Sequence, residues 1–75
     1  MTIAQYYNNA KNLNESQLAA VKALCMSAGK EQLLQARKDM GFGGPRSDLN
    51  SRDKLANWVY AQIKDRKYSY DRLSQ

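Results

Sequence analysis

Between Ile3 and Ile63 the large apolar residues recur at intervals of three and four, and no stretch alternates apolar with polar as a half-buried strand would. That periodicity confines the chain to α-helices whose apolar stripes face one another. Seventy-five residues provide for one core only, because chains of this size bury roughly 60% of the surface that their unfolded form exposes. Cys25 is the one cysteine and histidine is absent, so neither an internal disulfide nor a tetrahedral zinc site is expected to staple the fold. The expectation is a single domain over residues 1–75: all-α, a compact bundle of three to four main helices, with a Gly/Pro loop before the last long one.

Helix starts are marked by pairs three residues apart. Thr2 with Gln5, and Asn14 with Gln17, match the reciprocal capping box, in which each side chain answers the other residue's backbone N–H. The first predicts a short helix within Thr2 to Asn12, with Ile3, Tyr6, Tyr7 and Ala10 on one face. The second predicts a helix from Glu15, stapled by Leu13 against Leu18, with Leu18, Val21, Leu24, Cys25 and Ala28 as its buried stripe. Gly29 is expected to break the chain there, in the left-handed conformation, since one rod running to Met40 would leave so small a protein short of contacts between helices. A third helix then covers Lys30 to Met40.

Three of the four glycines and the only proline and phenylalanine fall together in GFGGP, residues 41–45. Gly41 and Phe42 read as a Schellman ending, in which a left-handed glycine lets the following apolar residue fold back on the last turn. The last helix is expected from Asn50 or Ser51 to about Lys67, with Asp53 at its positive end, Lys64, Arg66 and Lys67 at its negative end, and Leu55, Trp58, Val59 and Ile63 buried. Residues 68–75 read as an extra turn or a frayed tail. The expected core is Ile3, Leu13, Leu18, Val21, Leu24, Cys25, Leu33, Met40, Leu55, Trp58, Val59 and Ile63.

Twelve lysines and arginines against seven acidic residues leave a net charge of +5, which favours nucleic acid or an acidic protein surface as partner. The excess is C-terminal: residues 51–75 carry six basic and three acidic side chains. A helix-turn-helix centred on Gly29 would make helix three the reader, but Glu31 and Asp39 on that helix also fit a plain solvated face. The ten residues separating Met40 from Ser51 are too many for the motif's turn of three or four. Over four residues, Gly43 to Arg46 resembles the Arg-Gly-Arg-Pro core of AT-hook-like minor-groove segments, with one arginine in place of two. Arg37, Lys38, Arg46, Arg52 and Lys54 bracket the loop and are the expected phosphate or groove contacts. Tyr60, Arg66 and Lys67, where aromatic and basic residues interleave, complete the candidate set.

Catalysis is not expected. There is no histidine to act as a base near neutral pH, Cys25 sits on an apolar stripe, and the Gly-rich stretch lacks the Lys-Ser/Thr ending and strand context of a phosphate loop. No cofactor or metal is implied. No apolar run approaches a membrane span, and with no leader-like start and a lone cysteine, the expected setting is the cytoplasm. The sequence reading is thus a small regulatory protein that binds DNA or RNA. The alternative is a protein-binding module or small phage-type inhibitor docking on a larger enzyme or nucleoprotein complex.

Overall fold

The computed structural model describes residues 2–43 and 50–73, of which all but the turns are helical. Helix α1 is Ile3–Asn8, followed by a 3-10 turn at Ala10–Asn12; α2 is Glu15–Ser27, α3 Lys30–Asp39 and α4 Arg52–Leu73. No strand occurs among the described residues. The bundle is organised around α4, which packs against α1, the 3-10 turn, α2 and α3 alike.

Both capping boxes form. Gln5 N donates to Thr2 Oγ1 at 3.2 Å while Thr2 N donates to Gln5 Oε1 at 2.7 Å. At α2, Gln17 N donates to Asn14 Oδ1 at 2.8 Å and Asn14 N to Gln17 Oε1 at 2.9 Å. The chain breaks at Gly29 as expected, but by a different route: Ala28 and Gly29 are both extended, with φ −74° at each. Gly29 is the residue that starts α3, and its N–H donates to Gln32 Oε1 at 3.0 Å. A glutamine three residues ahead thus does for α3 what Gln5 and Gln17 do for the first two helices.

Gly41 is the one described residue in the left-handed region, at φ +93°. Its N–H donates to Lys38 O at 3.0 Å and that of Phe42 to Arg37 O at 3.1 Å, the two bonds of a Schellman ending. Phe42 is thereby turned back against the core, where it packs half-buried. Helix α4 continues past Lys67 to Leu73, so residues 68–73 are helical. Tyr68 packs against the core, and its hydroxyl lies 3.5 Å from Glu15 Oε1 at the start of α2.

Ten of the twelve residues expected in the core are buried; Leu24 and Trp58 are half-buried on its edge. The remainder of the core is alanine: Ala4, Ala28, Ala36 and Ala56 belong to the same cluster. Lys67 is also buried, 8% exposed, with its ammonium 5.8 Å from the centre of the Tyr68 ring.

Cys25 is fully buried, and burial pushes its thiol up to about 11. The unfolded thiol ionises near 8.5, before the folded one. Whatever Cys25 adds to stability is therefore fully present below about pH 8.5 and is lost as pH rises toward 11. At pH 8 the native protein is expected to resist Ellman's reagent until denaturant is added; prompt stoichiometric reaction would place Cys25 at the surface instead.

Candidate nucleic-acid interface

The basic residues singled out by the sequence divide into those engaged inside the fold and those left on its surface. Arg52, at the start of α4, donates from one terminal nitrogen to Met26 O at 2.7 Å and to Ala28 O at 2.8 Å, and from the other to Asp53 Oδ1 at 2.9 Å. Those carbonyls belong to the unsatisfied end of α2, where the helix dipole also favours a cation. Arg52 is thus a clamp between α2 and α4. Lys67 is buried as described above, and Tyr60 packs half-buried against the core. Seven residues apart on α4, these two share one stripe of the helix. Lys38 and Lys54 are exposed. Arg46 lies outside the described residues.

Arg37 and Arg66 stand on aromatic rings. The Arg37 guanidinium lies 5.3 Å from the centre of the Trp58 ring and is 3.5 Å from Gly43 O. Trp58 meets Phe42 edge-to-face at 5.0 Å, and Phe42 meets Tyr7 in the same manner at 6.0 Å. Arg66 lies 4.6 Å from the centre of Tyr7 and 5.4 Å from that of Tyr70, and a terminal nitrogen is 3.4 Å from the Tyr7 hydroxyl. The outcome is an unbroken row, Arg37–Trp58–Phe42–Tyr7–Arg66–Tyr70, each member half-buried and touching the next. It draws on α1, α3, the ending of α3 and α4.

Three of the row's aromatic residues, Trp58, Phe42 and Tyr7, were assigned to packing by the sequence reading. The signal was present on α4, where Trp58, Gln62, Arg66 and Tyr70 are spaced by four and therefore share one face. Nothing local says that Tyr7 and Phe42 meet it. Beside the row's C-terminal end, Tyr7, Gln62, Asp65, Arg66, Ser69 and Tyr70 line an open notch of about 420 Å³. A second, larger hollow of about 520 Å³ opens between α1, α2 and α3, its floor formed by Ile3, Ala4, Leu24, Ala28 and Ala36. None of the candidate basic residues lines it.

Among the described residues no group of three or more histidine, cysteine or acidic side chains could hold a metal ion. No helix among them is long and apolar enough to cross a membrane. No family model, curated protein or solved structure matches the chain.

Proposed function

We propose that this helical domain binds a strand of nucleic acid, DNA or RNA, and works without a cofactor as a small regulatory protein. The observation that carries the reading is the row of two guanidiniums and four aromatic rings along α4. Proteins that hold single strands combine cations for the phosphates with aromatic faces for the bases. An arginine already laid against a ring has lost much of its rotamer freedom, so its outer N–H groups can grip a phosphate at lower entropic cost. Lys54 and Arg72, both exposed, share a stripe of α4 with Trp58, since offsets of four and fourteen residues keep them on one face, about a third of a turn around the helix from Arg66. From Lys54 to Arg72 that stripe runs about 27 Å.

The alternative, docking on another protein, draws on the same row, because Trp, Tyr and Arg are the residue types that anchor interfaces. The inward engagement of Arg52 and Lys67 favours it by removing two cations from the surface. Salt separates the two readings. With three to four phosphate contacts, affinity for a fluorescein-labelled oligothymidine should fall by roughly two to three orders of magnitude between about 20 and 200 mM salt. Lys54→Ala should weaken binding and lower the slope by about 0.7. Absence of binding to single- or double-stranded oligonucleotides at about 20 mM salt would sink the reading and assign the row to a protein partner.

A further inference from the structure

We propose that the notch beside Tyr7 and Tyr70 receives one unstacked base of the bound strand and prefers guanine; this rests on the strand-binding reading above. The notch holds opposite charges side by side. Arg66 forms part of its wall, braced by the two tyrosine rings at 4.6 and 5.4 Å. Asp65, the next residue on the helix, is exposed and forms no ion pair with a described residue. A phosphate would suit the guanidinium but would be repelled by that carboxylate. A ligand that offers acceptors on one edge and donors on another meets both.

Guanine is the base with that pattern. Its O6 and N7 accept from an arginine fork, while its N1–H and 2-amino group together match the two oxygens of a carboxylate. Adenine and cytosine present an amino donor beside an acceptor, and thymine and uracil a single imino donor, so none of them fills both carboxylate oxygens. Recognition of this kind needs a base free of a duplex, with its edges open and its face on an aromatic ring. Tyr7 and Tyr70 line the notch on either side of the Arg66 guanidinium, whose flat outer face can itself stack on a base, and Gln62 and Ser69 add polar groups to the lining.

The test uses the intact chain and a labelled octathymidine, compared with strands in which one central thymidine is replaced by deoxyguanosine, deoxyinosine or deoxyadenosine. A central guanine should tighten binding about tenfold, within the range of one bidentate base contact. Inosine, which lacks the 2-amino group, should keep about a threefold gain, and adenine should give about twofold from stacking alone. Asp65→Ala should erase the guanine advantage and tighten the all-thymidine strand about twofold by removing a repelling charge. Its thermal midpoint should stay unchanged, because Asp65 is exposed and unpaired among the described residues. Equal affinities for the four strands would overturn the pocket while leaving strand binding intact. An adenine gain equal to that of guanine, or a guanine preference that survives in Asp65→Ala, would overturn it too. No binding of any strand at about 20 mM salt would remove both proposals together.

Discussion

Arg52→Ala is expected to lower the unfolding free energy by about 2 kcal/mol, the largest effect of any charged residue on the surface. A hydrogen bond to a charged group contributes roughly 1.5–3 kcal/mol, and Arg52 makes two, to Met26 O and Ala28 O. The sum is discounted because its side chain is 37% exposed, so water can replace part of what is lost. In a domain of this size each kcal/mol moves the thermal midpoint by about 4–8 °C, so the variant should melt roughly 10 °C lower. Arg52→Lys should recover only part of this, since an ammonium keeps the charge but not the planar fork that reaches two carbonyls and Asp53 at once. Asp53→Ala should matter little: the aspartate is 82% exposed, and pairs of that kind contribute under about 1 kcal/mol. An Arg52→Ala protein that melts normally but binds oligonucleotides poorly would return Arg52 to the binding face.

Leu33→Ala should destabilise more, by about 3 kcal/mol, in the range of leucine truncations in close-packed cores. Leu33 is 0% exposed and sits where α3 meets α4, a contact that the rigid helices cannot close up around a missing side chain. With a stability on the order of 4–11 kcal/mol for such a chain, the loss could leave the protein close to its unfolding threshold at body temperature. Leu34 is the internal control. It is the next residue on the same helix but 44% exposed, and Leu34→Ala should shift the urea midpoint by less than a quarter as much. Equal shifts for the two would mean that α3 faces the core differently.

The elements that the sequence announced are those set by neighbours in the chain. Both capping boxes and the Schellman ending involve residues within six positions of one another, and each was readable from spacing plus the side chain's donor and acceptor groups. Gly29 shows how far such reading goes. A glycine there marks a break, yet whether it closes one helix or opens the next depended on Gln32, whose amide oxygen takes the glycine N–H. Ala28 was placed on a buried stripe, but Ala4 and Ala56 were passed over for a different reason: a methyl group has little weight in an apolar pattern, although Ala56 is 0% exposed and belongs to the core cluster.

The candidate site was less legible because its defining contacts are remote in sequence. Arg52 caps carbonyls 26 and 24 residues earlier, and Arg66 reaches a tyrosine 59 residues away. Composition ranks an arginine as a phosphate contact whether its fork faces solvent or a helix end. Only the packing of α4 against α1 and α2 divides Arg52 from Arg66.

The central position of α4 also bears on the order in which the molecule can form. Val21, Leu33 and their neighbours belong to one cluster with Leu55, Val59 and Ile63, residues that leave the ribosome after them. Until they emerge, the three earlier helices lack the surface against which most of their apolar stripes are buried, and isolated helices of ten to thirteen residues are marginal in water. The earlier helices therefore wait, largely unfolded, until α4 has emerged to pack against them.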